Sequence, residues 1–99
     1  MNIQSLMAQA QKMQKDLAKK KEEIDNSTFT GESEWVKVEI NGKKELTKVK
    51  ITFEGVIENE DKEILEDMIK IALNNATAAV DKEMENKMGA YSSSLNGLL

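Results

Sequence analysis

The sequence predicts a single-domain α+β protein: an N-terminal helix, a small antiparallel sheet of two to three strands with an Asn-Gly hairpin, and a long C-terminal helix. Apolar residues recur at steps of three and four near both ends of the 99-residue chain, and they alternate with polar residues in the middle. An Asn-Gly pair divides the alternating stretch. Because so small a sheet is marginally stable alone, we expect a homodimer built around the sheets of two copies.

Residues 1–24 are the predicted basic helix, with the helical pattern running from residue 2. Its apolar positions follow a heptad pattern that Lys20 interrupts: Ile3, Leu6, Ala10, Met13, Leu17 and Ile24. This stripe is narrower than the face of a helix buried in a globular core, so much of the helix is expected to lie in water.

Residues 27–54 are the predicted sheet. Val36, Val38 and Ile40 alternate with polar residues and indicate one strand. A second strand returns after Asn41-Gly42, where a two-residue type I′ turn would use the positive φ that both residues tolerate. The return strand steps by three residues from Leu46 to Val49, which predicts a β-bulge near residues 47 and 48. A third, short strand is expected at residues 27–32.

Residues 60–88 are the predicted second helix, which has a broad apolar face. Asn59 or Asp61 is the expected N-cap, and Gly89 the expected stop. Residues 89–99 then form a short tail with leucines that could dock on the domain: Leu95, Leu98 and Leu99.

Composition excludes several classes of function. The chain has no cysteine and no histidine, so it lacks thiolate chemistry, the usual general base and the commonest metal ligand. The acidic stretch "ENEDKEILED" at residues 58–67 is placed where acids complement a helix N-terminus. We therefore expect no enzyme, no catalytic or metal-binding residue, no cofactor and no small-molecule substrate. No stretch predicts a signal peptide or membrane span, so a cytoplasmic protein without a membrane partner is expected.

The lysines suggest contact with an anionic partner, although the formal net charge is −4. Lys12, Lys15 and Lys19 share a helical face; the alternative is an ordinary solvated face. One face of the predicted strands is also basic and includes an aromatic residue: Lys37, Lys48, Lys50 and Trp35. The alternative is that these lysines protect a sheet edge against aggregation and that the tryptophan packs in the protein. The chain has no arginine, so any DNA binding should favour phosphate contact over base recognition.

Four segments together resemble the YbaB/EbfC family of bacterial nucleoid-associated proteins: "LMAQAQKMQKDLAKKKEEI", "WVKVEINGKKELTKVKI", "DKEILEDMIKIALNNATAAVDKEMENKMG" and "SLNGLL". The resemblance implies a DNA-binding homodimer of the nucleoid, with a sheet core and helices that project toward double-stranded DNA. Carried over by position, it implies these DNA-binding candidates: Lys12, Lys15, Lys19, Lys20, Lys21 and Lys37. Lys44 departs from the pattern, since the family often has a second hairpin glycine there.

Two other interpretations fit helices that flank a β-hairpin. A prefoldin-like chaperone would hold unfolded clients at its helix tips, although its helices are usually longer. A helical adaptor would bind another protein's helix through the heptad stripe and would need no DNA.

Overall fold

The computed structural model describes the backbone of residues 2–98 and the side chains of residues 2–89. Along the chain, one helix precedes the three strands and a second helix follows them, which confirms the predicted α+β class. The bounds are Ile3–Asp25 for α1, Phe29–Glu32 for β1, Val36–Ile40 for β2, Leu46–Ile51 for β3, Asn59–Asp61 for a 3₁₀ turn and Lys62–Leu98 for α2. The third strand predicted at residues 27–32 is confirmed as β1.

α1 is an amphipathic helix that becomes buried only toward its C-terminal end. Asn2 caps it, because its side-chain oxygen accepts a hydrogen bond from the backbone N–H of Gln4 at 3.0 Å. Ile24 in the last turn is fully buried, whereas apolar residues of the first two turns, such as Leu6 and Met7, remain exposed. The narrow stripe therefore predicted correctly that much of α1 lies in water.

The strands form one antiparallel sheet in the order β1-β2-β3, so β2 is central. Val36 of β2 lies opposite Ile51 of β3, and Ile40 lies opposite Leu46. Between these two pairs β3 has one more residue than β2, and Thr47 is the residue of β3 without a partner on β2. The predicted bulge is therefore confirmed.

The loop between β2 and β3 differs from the predicted type I′ turn. The connection covers five residues, the Lys44 N–H donates to the Asn41 carbonyl at 2.9 Å, and the positive φ of 65° falls on Lys44. Gly42 instead packs on the end of α1: its N–H donates to the Asp25 carbonyl at 3.3 Å, and a Cβ there would collide with the Ile24 carbonyl. The turn type was wrong because this glycine permits close backbone approach and does not adopt positive φ.

α2 extends further than predicted. The expected stop at Gly89 is wrong, and the predicted tail is helical as far as Leu98. A glycine inside a helix costs about 1 kcal/mol relative to alanine, so it weakens a helix without ending it. The side chains of the tail leucines, and Leu99 itself, lie outside the described residues. The chain measures 70 × 21 × 14 Å, and its length reflects α2, which alone spans about 55 Å.

The prediction of Asn59 or Asp61 as N-cap did not foresee the 3₁₀ turn at Asn59–Asp61, which leads into α2 and has its own cap. Glu58 occupies the cap position, and its N–H donates to the Asp61 carboxylate at 3.0 Å. Asp61 therefore acts from the third position of a capping box, where its side chain reaches back to the cap residue.

The core lies between one face of α2 and the inner face of β1 and β2. α2 approaches β1 so closely that a Cβ at Gly31 would collide with backbone atoms of Ala72 and Ala76. The Asn75 side-chain amide donates to the Glu32 carbonyl at 3.0 Å and so occupies part of the outer edge of β1. The buried cluster comprises Val36, Val38, Ile40, Ala72, Ala76 and Val80.

β3 lies beyond the cover of α2. Within the described residues, α2 contacts β1 and β2 but not β3, and every residue of β3 is exposed. Leu46, Val49 and Ile51 pair with the buried residues of β2 and therefore continue the same apolar face. We refer to these three residues as the β3 apolar strip, which is exposed to solvent.

Candidate nucleic-acid interface

α1 presents a row of exposed lysines. Lys12, Lys15 and Lys19 are three and four residues apart, so their side chains lie on one face of the helix. All three are exposed, and none forms an ion pair with another described residue. We refer to them as the α1 lysine row. Three neighbouring ammonium groups without a carboxylate partner provide point charges suited to phosphate.

The two neighbouring lysines of the predicted site make contacts inside the protomer. Lys20 is half-buried, and its ammonium group donates to the Lys87 carbonyl of α2 at 3.5 Å. The Lys21 ammonium lies 3.1 Å from the Asp25 carboxylate one turn later. Their ammonium groups already have partners, whereas those of the α1 lysine row form no ion pair with a described residue.

The sheet face opposite α2 carries a second group of lysines. The structure places Lys37 here, with its ammonium 3.6 Å from the Glu32 carboxylate in a solvent-exposed ion pair. Lys37 also lines a depression of about 300 Å³. We call its lining the outer sheet face: Lys37, Glu39, Lys48, Lys50 and Thr52.

The sequence analysis groups Lys48 and Lys50 with Lys37 on one strand face, but the DNA-binding candidates that the family resemblance implies include only Lys37. Which residue of β2 each of the two lysines lies opposite depends on the exact strand register. The bulge at Thr47 sets that register, and the three-residue step in the apolar pattern is the signal from which it could have been worked out.

Trp35 does not join these lysines as a free aromatic surface. It is half-buried, packs against the core, and stacks on Phe53 with ring centroids 4.3 Å apart and ring planes at 29°. These contacts support the packing interpretation of the lone tryptophan over a role in base stacking.

The acidic start of α2 has the geometry of an ordinary helix N-terminus. Glu60 and Asp61 lie in the 3₁₀ turn that leads into α2, and Glu63 lies in the first turn of α2, where carboxylates interact favourably with the positive end of the helix dipole. Among the residues whose side chains are described, no three acids are arranged to hold a metal ion. In the same part of the chain, no helix is long and apolar enough to cross a bilayer.

Comparisons of this sequence with known proteins agree on one family. The YbaB/EbfC DNA-binding family matches residues 1–95. A nucleoid-associated protein of Lactococcus lactis subsp. cremoris is 42% identical over 97 residues, which cover 96% of this chain and 97% of that protein. A nucleoid-associated protein of Streptococcus thermophilus is 41% identical over 98 residues, covering 96% and 97%. Another, of Rickettsia typhi, is 39% identical over 99 residues, covering 98% and 89%.

The fold also has a solved counterpart. The crystal structure of an uncharacterized protein, HP0035, from Helicobacter pylori matches with a TM-score of 0.69 at 25% identity, over 100% of this chain and 99% of that one. The family match favours DNA binding over the prefoldin-like and adaptor alternatives. Because the match spans nearly the whole sequence and the relatives reach about 40% identity, the chain belongs to the YbaB/EbfC DNA-binding family.

Proposed function

We propose that this protein is a nucleoid-associated protein that binds double-stranded DNA as a homodimer with weak sequence specificity. The observation that carries the proposal is the α1 lysine row, which consists of exposed ammonium groups on one face of a helix that extends into solvent. In a member of a DNA-binding family, the phosphate backbone is the ligand that such a row fits.

Weak specificity is supported by the type of basic residue. The chain has 14 basic residues, and all of them are lysines. Lysine binds phosphate as a point charge, whereas specific guanine contacts most often use the bidentate guanidinium of arginine. Because the whole protein is acidic, binding depends on local lysine clusters and should weaken steeply as salt rises.

The homodimer is supported by the β3 apolar strip. The strip continues the buried row of β2, yet nothing in the described protomer covers it. A second copy offers the same apolar strip and would extend or cover the sheet, which removes the exposed edge that soluble proteins avoid. The exposed isoleucines of α2 add apolar surface for such a contact: Ile64, Ile69 and Ile71.

The name of the relatives, nucleoid-associated protein, supports a role at the nucleoid. A dimer that binds DNA with little sequence preference can occupy many sites along the chromosome. We therefore propose that it affects nucleoid organisation and, through it, gene expression. No catalytic step belongs to this role.

The proposed function is tested with the triple variant Lys12→Gln, Lys15→Gln and Lys19→Gln, measured by fluorescence anisotropy on two duplexes of unrelated sequence. Affinity should fall about equally for both duplexes, because phosphate contacts carry no sequence information. Each lost phosphate contact lowers the slope of log affinity against log salt by about 0.9 in magnitude, hence by about 2.7 if one subunit's row is engaged. Glutamine preserves helix propensity, so α1 should remain folded.

The matched control replaces three exposed lysines of α2 with glutamine and so changes the net charge equally: Lys62, Lys70 and Lys82. Equal losses of affinity in both variants would show that net charge, and not the α1 lysine row, governs binding. Suppression of client aggregation without duplex binding by the wild type would instead favour the chaperone alternative.

A further inference from the structure

The outer sheet face contains two lysines directly opposite each other on adjacent strands. Lys37 on β2 pairs in register with Lys50 on β3. Side chains at such positions have Cβ atoms about 4.5–5.5 Å apart, and like charges placed there destabilise the sheet. The repulsion needs a compensating reason at position 50, since an uncharged residue there would pair better with Lys37.

The charges of the outer sheet face are only partly compensated within the protomer. Three lysines and one glutamate line the depression, and Lys37 has its exposed ion pair with Glu32. Glu39 lies opposite Lys48 in the register, yet neither Lys48 nor Lys50 forms an ion pair with a described residue. An anion that enters the depression would therefore meet two ammonium groups without carboxylate partners.

Protection of a sheet edge does not explain this arrangement. Lysines on an edge strand prevent pairing with other chains, which could account for Lys48 and Lys50 on β3. Lys37, however, lies on the central strand β2, which has a neighbour on each side. The lysines thus form a cluster across two strands, beyond what an edge requires.

We infer that the outer sheet face is a second phosphate-binding surface, which contacts the DNA backbone separately from the α1 lysine row. The inference rests on the proposed DNA-binding function. A phosphodiester group between Lys37 and Lys50 relieves their repulsion, and the Thr52 hydroxyl in the same depression can donate a hydrogen bond to it. The β3 apolar strip faces the other side of the sheet, so a dimer that covers the strip leaves this face open.

Two variants test the inference. Lys50→Gln should raise the melting temperature, because it removes the like-charge pair, and should at the same time lower duplex affinity. The double variant Lys48→Gln and Lys50→Gln should lower the salt slope by about 1.8 in magnitude for one engaged subunit. If the affinities of variant and wild type converge near 1 M salt, this change in slope corresponds to a loss of duplex affinity of about 60-fold at 0.1 M salt.

The matched control is Lys62→Gln with Lys82→Gln, which changes the charge equally on α2. The inference is overturned if the sheet double variant and this control bind duplex with the same affinity and salt slope. This holds provided that the α1 triple variant binds duplex more weakly than the wild type, which shows that the assay detects lost phosphate contacts. If the wild type does not bind duplex at all, the proposed function fails and this inference fails with it. A lower melting temperature for Lys50→Gln would show that Lys50 stabilises the sheet and would remove the main argument for the site.

Discussion

Replacing Val49 with aspartate should convert the proposed homodimer into a monomer. Val49 lies in the middle of the β3 apolar strip and is 49% exposed in the protomer, so an aspartate there can point into water while the chain is alone. In a dimer the same carboxylate would be buried against the apolar surface of the partner. The substitution therefore penalises association much more than folding.

The exposed fractions of the three side chains of the strip determine how much free energy their burial in a dimer would contribute. Leu46, Val49 and Ile51 are 51%, 49% and 50% exposed. Full burial of such a side chain contributes about 1.5–3 kcal/mol, so covering the exposed half contributes about 0.7–1.5 kcal/mol. Six such side chains in a symmetric dimer contribute about 4–9 kcal/mol, which is similar to the cost of association. The strip is thus needed for a stable dimer.

Val49→Asp removes two of these six contributions and adds two carboxylates to an apolar contact. The first effect costs about 1.5–3 kcal/mol per dimer and the second several kcal/mol more. Even about 4 kcal/mol, below the sum of the two effects, would raise the dissociation constant about 1,000-fold. A dimer stable at micromolar concentration would then dissociate.

Light scattering coupled to size exclusion measures the outcome directly. The wild type should have twice the protomer mass of 11.1 kDa, and the variant should have the protomer mass with unchanged circular dichroism. Val56→Asp is the control, since Val56 is 79% exposed in the loop after β3 and the same change there should leave the dimer intact. A Val49→Asp protein that remains dimeric with an unchanged dissociation constant would refute the proposed interface.

Substitutions at three further positions test the packing of the chain by urea denaturation. Gly31→Ala should cost about 3 kcal/mol, because its Cβ meets backbone atoms of α2 that cannot rotate away, and an unchanged midpoint would contradict this packing. Gly89→Ala should stabilise α2 by about 0.5–1 kcal/mol, since its Cβ has room and alanine favours a helix; a lower midpoint would count against a continuous helix. The Lys44→Gly variant should be more stable than the Lys44→Ala variant by about 1 kcal/mol. Both variants lose the ion pair with Asp81, but only glycine adopts the positive φ at this position without strain. Equal stability of those two variants would argue against the positive φ.

The sequence predicts the elements well because spacing encodes which side of each element is buried. The alternation at Val36, Val38 and Ile40 identifies the central strand, and the broken step after Leu46 identifies the bulge. Local turn chemistry is less informative, since it does not reveal tertiary contacts. Gly42 has the sequence of a type I′ turn but lies against α1, and Gly89 has the sequence of a stop but lies within a helix.

The candidate site is only partly predictable for the same reason. Helical spacing places Lys12, Lys15 and Lys19 together without knowledge of any other element. The position of Lys50 opposite Lys37 depends on pairing between two strands, so a shift of one residue would separate them. Lys20 is in contact with α2 because of how two distant segments pack, which no local pattern specifies.

The two edges of the sheet differ in a way that limits the size of an assembly. α2 lies on β1, and Asn75 occupies the Glu32 carbonyl at its outer edge, whereas β3 is uncovered. A subunit with two open edges could accept a neighbour at each and grow into a fibre. A subunit with one open edge can accept one neighbour there, so the proposed association through β3 would be complete when two copies have met. Because the Asn75 amide already occupies the Glu32 carbonyl, a further strand has fewer free backbone groups to pair with at β1, and we expect the proposed assembly to stop at two copies.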